Sequence, residues 1–292
     1  MYPRPRRESK PLDSFSLPEL IRLRHEQRRL GAYHQKCYYE LAVQRSYVFN
    51  NLKIILKEIA EKEFKFTDWY RAVDYFYTLK PLSYKGSITD IGGRFNIGDI
   101  DTNLFPPFPA LYMAKDFETA SLELFGNKSL DANQEDRYFN ALATRGSFSV
   151  VKLRGKLDSI VDLTKPEKLG RFVNLIKDFK ISGDLRKMEK SLKIVGTDVV
   201  RTPKVLVDTL LADDWRKAPR LADVPANPQI FGQLVNGSGI DGILYPSRIT
   251  GQNCLAIFPL NFNGKNSYVQ IDSPVPPGVV NRLDTNTYMN LA

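Results

Sequence analysis

Apolar positions recur at helical spacing in the early part of the chain. Between Ser16 and about Ala60, Leu20, Leu23, Gln27 and Leu30 follow one another three and four residues apart, which places them on one side of a helix of 3.6 residues per turn. Ser16 suits an N-cap, because its hydroxyl can accept from an early backbone N–H. Pro18 suits the first turn, where a missing N–H removes no helical bond. Gly31 marks a break or bend, since glycine is a poor helix former. A second run, Tyr38, Leu41, Arg45, Val48, Leu52, Ile55 and Ile59, repeats the three–four alternation as a narrow seam. Such a seam fits a helix packed on a main domain. It also fits a helical arm for a partner or a second copy.

After Phe64 the pattern shifts to short β-type runs broken by turns and helices. Ala110-Leu111-Tyr112-Met113 predicts a buried strand. Asp116 then caps a short helix from Phe117 to Phe125, ended by Gly126-Asn127, with Phe117, Ala120, Ser121 and Leu124 as its buried face. Strands are predicted at Ser147 to Leu153, Ser159 to Leu163, Gly242 to Tyr245, Cys254 to Phe258 and Tyr268 to Ile271. The charged stretch 165–217 reads as mostly helical, with Phe172, Leu175, Ile176, Phe179, Leu206 and Leu210 as core contacts. The last stretch, rich in Pro, Asn and Gly, reads as a surface wrap or a loose tail. The expected class is α+β, a mixed β-sheet core with an N-terminal helical extension. Residues 1–64 form the basic arm and extension, and residues 65–292 form the main domain.

Composition narrows the chemistry. With 292 residues and 42% hydrophobic residues, the chain can bury a sizeable core. No apolar run approaches the roughly 20 residues that span a bilayer. The basic start Met1-Tyr2-Pro3-Arg4-Pro5-Arg6-Arg7 is followed by no apolar segment, so neither a signal peptide nor a membrane partner is expected, and cytoplasmic action is the default. Cys37 and Cys254 are the only cysteines, and His25 and His34 the only histidines. A disulfide framework, a zinc site and a histidine-based triad are therefore not expected. Chemistry falls to Arg, Glu, Asp, Ser, Thr or Tyr. The formal net charge of +9 suits nucleic acid, a membrane surface, an anionic small substrate or an acidic protein partner, and does not choose among them. No helix-turn-helix, zinc-finger or RNA-binding signature accompanies it, so a basic nucleic-acid-binding module is the minor reading.

Four segments combine residue types suited to an anionic, aromatic ligand. They are Asp68-Trp69-Tyr70-Arg71-Ala72-Val73, Gly92-Gly93-Arg94-Phe95-Asn96-Ile97-Gly98, Leu111-Tyr112-Met113-Ala114 leading to Glu123, and Asp241-Gly242-Ile243-Leu244-Tyr245-Pro246-Ser247 followed by Asn253. Each alone has an ordinary explanation. Gly92-Gly93 can be a plain turn, Tyr112 a core tyrosine, Glu123 a half-exposed surface residue at the edge of its helix's buried stripe, and Ser247 a turn or capping serine. Glycine would also let backbone approach a bulky anion. Arg71 and Arg94, set among aromatic and glycine residues, suit bidentate phosphate binding. Tyr112 suits stacking on a flat heterocycle. Ser247 has no histidine nearby in sequence to activate it, which favours hydrogen bonding over nucleophilic attack.

Taken together and in this order, Arg71, Gly-Gly-Arg94-Phe-Asn-x-x-Gly, Leu-Tyr112-x-Ala, Glu123 and Tyr-Pro-Ser247 resemble the RES domain, from about Thr67 to Pro259. Three features depart from that pattern. Phe95 stands where the family usually has Trp, the connection from Arg94 to Tyr112 is long and carries Pro106-Pro107-x-Pro109, and the N-terminal helices and the 165–217 stretch enlarge the chain. The resemblance implies an ADP-ribosyltransferase-like fold and a toxin-type enzyme. The implied reaction is cleavage of the nicotinamide–ribose bond of NAD⁺ by hydrolysis or phosphorolysis, or transfer of ADP-ribose to a protein acceptor. It implies NAD⁺ as substrate with no further cofactor or metal. As partners it implies an Xre-type antitoxin or another immunity protein; a homo-oligomer and delivery into another cell stay open. On that basis Arg71 and Arg94 are expected at the pyrophosphate and ribose, Tyr112 at nicotinamide, Glu123 at the ribose and Ser247 on Glu123 or the ribose. Asn96 and Asn253 are further substrate-binding candidates. Glu123, Arg94 and Ser247 are the expected catalytic group.

Overall fold

A computed structural model describes residues 15–125, 148–194 and 199–291. The expected basic arm at residues 1–13, the Gly126-Asn127 helix stop and the first residue of the Ser147 strand lie outside these. Among the described residues no helix is long and apolar enough to cross a membrane.

Helix α1 (Leu17–Ile59) is continuous over 43 residues. Both the Ser16 N–H and its Oγ donate to Glu19 Oε2 at 2.8 Å, and Pro18 lies in the first turn. The expected break at Gly31 does not occur. Gly31 is instead the site of a close approach: a Cβ there would lie 2.3 Å from the Leu221 carbonyl oxygen. Missing volume, not backbone freedom, explains this glycine. Of the second seam, Leu41 and Leu52 are buried and Tyr38, Val48, Ile55 and Ile59 are partly buried against the main cluster, while Leu56, outside the seam, is fully buried there. The division at 64/65 falls inside strand β1 (Glu61–Asp74), and the C-terminal half of α1 shares the main cluster with the rest of the described chain.

Six further strands follow: β2 (Leu111–Ala114), β3 (Phe148–Asp162), β4 (Gly242–Pro246), β5 (Asn253–Ile257), β6 (Tyr268–Ile271) and β7 (Arg282–Leu283). Their order is β1-β2-β5-β4-β3-β6-β7, and β1 also pairs with β3, so five of the strands close a circuit of pairings. The two strands expected at Ser147 to Leu153 and Ser159 to Leu163 are one, because β3 runs unbroken against β1 from Phe148 to Ile160. A one-residue register shift between Phe66 and Trp69, with Asp68 at φ 57°, bends β1. The pair β3–β4 is parallel and the others are antiparallel, which makes the sheet mixed.

Helices α2 (Phe117–Phe125), α3 (Gly170–Ile176), α4 (Gly183–Ser191), α5 (Pro203–Leu210), α6 (Lys217–Ala222) and α7 (Asn227–Gly237) complete the α+β fold. Successive residues of the central strands feed two cores, as the two-residue period of a strand requires. Leu111, Met113, Leu255, Ile257 and Leu244 face one cluster, while Ile243, Tyr245, Cys254 and Ala256 face the other, with the helices. Burial on both sides explains why these strands are apolar runs and not alternating ones. The C-terminal stretch is a wrap: Leu291 is buried, and its carbonyl accepts from Ser83 Oγ at 3.1 Å.

Candidate active site

The β2, β4 and β5 side chains on the helical side set the floor of the site. Tyr112 is half-buried on β2, and its hydroxyl donates to Asn96 Oδ1 at 2.8 Å while accepting from the Phe95 N–H at 2.9 Å. Burial pushes its ionisation up, so it stays a neutral phenol at working pH. Asn96 is fully buried. Its Nδ2 donates to the carbonyls of Ser87 and Phe108 at 2.7 and 3.1 Å, and its Oδ1 also accepts from the Gly93 N–H at 3.0 Å. Its whole hydrogen-bonding capacity is used within the protein. Asn96 thus holds Tyr112 and the Gly93 turn, with no donor or lone pair left over for a ligand. Gly93 has a similar reason: a Cβ there would meet the Tyr112 hydroxyl at 2.5 Å. The room that this glycine leaves is filled by the protein's own tyrosine, not held open for an anion. Gln229 of α7 completes the clasp, with its Nε2 reaching the carbonyls of Ile91 at 2.7 Å and Asn96 at 3.1 Å.

Glu123 lies half-buried near the end of α2. The Asp116 cap is formed, with its Oδ1 accepting from the Thr119 N–H at 2.8 Å. The buried side of α2 differs from expectation: Phe117 is 43% exposed, whereas Thr119 and Leu122 are buried. Thr119 can be buried because its hydroxyl pairs with Asp116 Oδ2 at 2.9 Å and Thr250 Oγ1 at 2.8 Å. That second contact ties α2 to the turn after β4.

Ser247 is in the same turn. Its Oγ donates to Glu123 Oε1 at 2.6 Å and accepts from the N–H groups of Ile249 and Thr250 at 3.1 and 3.3 Å. The one donor and both lone pairs are engaged, and the residue is only 4% exposed. Of the two contacts expected of Ser247, the one to Glu123 is made, and no donor or lone pair is left over for a ribose. Asn253 opens β5, opposite Pro246; its carbonyl accepts from the Lys115 N–H at 2.8 Å.

The two expected arginines differ in what they hold. Arg71 donates from Nε, Nη1 and Nη2 to the carbonyls of Pro81, Tyr112 and Ser83 at 2.9, 2.8 and 2.8 Å. It clasps β1 to β2 and to the 81–83 turn, and burial lowers its pKa to about 10. Arg94 donates through Nη1 to the Leu210 and Ala212 carbonyls at 3.3 and 2.9 Å. It also lies 5.8 Å from the Trp215 ring centre. Arg216 lies 4.4 Å from the same ring. Burial, then the nearby charges of Arg94 and Arg220, lower the Arg216 pKa, and Glu123 acts the other way. Burial pushes the Tyr245 and Cys254 groups up as well, and the Glu123 charge adds to both shifts. One carboxylate, Arg94, Arg216 and the Tyr112 phenol therefore share one electrostatic neighbourhood.

Trp215 and Arg216 stand in the 165–217 stretch, whose sequence pattern reads as core-forming helix. The signal that singles out Arg71 and Arg94, an arginine beside aromatic residues, is present there too. Among the described residues no group of three or more His, Cys, Asp or Glu side chains is placed to hold a metal ion.

Comparison with known proteins agrees with the motif order. A family model for the RES domain matches residues 68–276. No curated protein matches the chain. Among solved structures, the crystal structure of the M. tuberculosis MbcT–MbcA toxin–antitoxin complex is similar over 82% of this chain and 96% of the matched chain, at 16% identity and a TM-score of 0.43. With the family model covering most of its length, this chain belongs to the RES domain family.

Proposed function

We propose that the protein is a toxin-type enzyme that cleaves the nicotinamide–ribose bond of NAD⁺. The observation that carries this reading is the 2.6 Å hydrogen bond from Ser247 to Glu123, which fixes one carboxylate near Tyr112 and Arg94. Membership of the RES family and the ADP-ribosyltransferase-like fold that the resemblance implies support it. Depletion of NAD⁺ would act in the cytoplasm, held in check by an antitoxin or another immunity protein.

In this mechanism Arg94 holds the diphosphate, and the Tyr112 ring lines the nicotinamide pocket. The C–N bond breaks with its electron pair going to the nicotinamide nitrogen, so the ring regains neutrality and the ribose carries the positive charge. Glu123, aimed by Ser247, stabilises that oxocarbenium-like centre. Water then adds to the anomeric carbon and passes a proton to the Glu123 carboxylate, which releases it to solvent. The products are nicotinamide, ADP-ribose and a proton. Phosphate adding in place of water gives a phosphorylated ADP-ribose, and a protein nucleophile gives ADP-ribosylation.

Nicotinamide release from NAD⁺ by purified protein, with and without phosphate, tests the reading. Glu123→Ala is expected to fold normally and to lose turnover by about 10²-fold or more. Wild-type turnover in that variant removes Glu123 from the mechanism. Dependence on phosphate separates phosphorolysis from hydrolysis, and transfer of label to a protein assigns ADP-ribosyl transfer.

A further inference from the structure

We infer that Trp215 and Arg216, just before α6, join Arg94 to form a diphosphate subsite that makes the enzyme prefer NAD⁺ to the phosphate-free nicotinamide riboside. This rests on the reading of the site as one that cleaves the nicotinamide–ribose bond. Trp215 is only 5% exposed and is packed with Ile91 and Ala226, so its indole is a fixed platform. Arg216 stacks on it with its guanidinium carbon 4.4 Å from the ring centre, and Arg94 approaches the same ring to 5.8 Å. Stacking fixes the plane of a guanidinium, which suits it to a forked contact with phosphate oxygens. The Arg94 position is fixed separately, by the Leu210 and Ala212 carbonyls.

The charge pattern points the same way. Two cations brought together on a buried ring repel, so Arg94 adds to the lowering of the Arg216 pKa that burial begins. The two phosphates of a dinucleotide carry two negative charges and would relieve that repulsion. Glu123 is close enough to act on Arg216 electrostatically. A substrate spanning the two would put its diphosphate on the arginines and its ribose at the carboxylate. The riboside lacks that handle.

The test compares wild type, Arg216→Gln and Arg216→Lys in two assays. The first is calorimetric binding of ADP-ribose, and the second is nicotinamide release from NAD⁺ and from nicotinamide riboside. Arg216→Gln is expected to weaken ADP-ribose binding by about tenfold or more, and Arg216→Lys by less, because a lysine keeps the charge without the fork. The kcat/KM of Arg216→Gln on NAD⁺ should fall about tenfold further than on the riboside, mostly through KM. No riboside turnover by wild type counts for the selection, since the diphosphate is then indispensable. ADP-ribose affinity of Arg216→Gln within about twofold of wild type overturns the subsite, as does an equal loss on both substrates or no ADP-ribose binding by wild type. Arg216-dependent binding of ADP-ribose without any nicotinamide release overturns the proposed reaction and leaves the subsite standing.

Discussion

The Ser247 hydroxyl has its donor on Glu123 and its lone pairs on two backbone N–H groups, so its direction is set from three sides. A residue held this way acts through its neighbour. Ser247→Ala is expected to lower kcat by roughly tenfold to hundredfold, in the range seen when a group that orients a catalytic residue is lost, with KM for NAD⁺ little changed. Combined with Glu123→Ala it should add little further loss, because the two act as a unit. Additive losses in the double variant would show that Ser247 contacts the substrate on its own account. The sequence alone does not bring these two together, since 124 residues separate them. The RES resemblance does, by supplying both as one constellation. The same resemblance does not separate side chains facing the ligand from those that hold them, so Asn96 reads as a binder until its four hydrogen bonds are seen. Trp215 and Arg216 lie outside the motif altogether.

Elements whose burial is set by their own period were legible, and those set by a distant contact were not. The Tyr268–Ile271 strand matches expectation, and β4 and β5 do so to within a residue at each end, because apolar runs between turn signals leave few other states. Helix α1 is longer than its sequence predicts because the reason for Gly31 lies in α6, some 190 residues away. Two glycine replacements separate the meanings of glycine in this fold. Gly31→Ala gains about 1 kcal/mol of helix propensity and meets backbone at 2.3 Å, so it is expected to destabilise by a net 1–3 kcal/mol or so. Gly170→Ala, where a Cβ meets nothing within 4 Å, is expected to be neutral or to stabilise by up to about 1 kcal/mol. Urea unfolding of both variants checks the pair. Stabilisation by Gly31→Ala would mean that α1 and α6 do not pack as closely as described.

For the molecule as a whole, α1 has two halves of unequal weight. Its buried residues begin at Gly31 and include Leu52 and Leu56, while none is buried before Gly31. Removing residues 1–28 is therefore expected to leave the fold intact, with a melting temperature within about 4 °C of the full chain. Removing residues 1–60 should abolish folding, because it empties part of the main core. A stable product from the longer deletion would restore the division near residue 64. The sequence places a helical segment there and leaves two partners open for it, since a seam of apolar residues does not say whether it packs on the same chain or another; Leu52 and Leu56 pack into the main core of this chain.

The closed circuit of strand pairings also bears on how this protein meets other chains. A sheet recruits a foreign strand through an unpaired edge. Beyond the circuit the sheet ends at β7, which is two residues long and preceded by Pro274, Pro276 and Pro277. The early part of β1 pairs with β3 on one side, while its recorded pairing with β2 is at Tyr70 alone. That stretch carries Lys62, Glu63 and Lys65 and bends at the Asp68 bulge, which makes it a poor template for strand addition. Among the described residues, fibril-like stacking through these two edges at high concentration is disfavoured for the same reason.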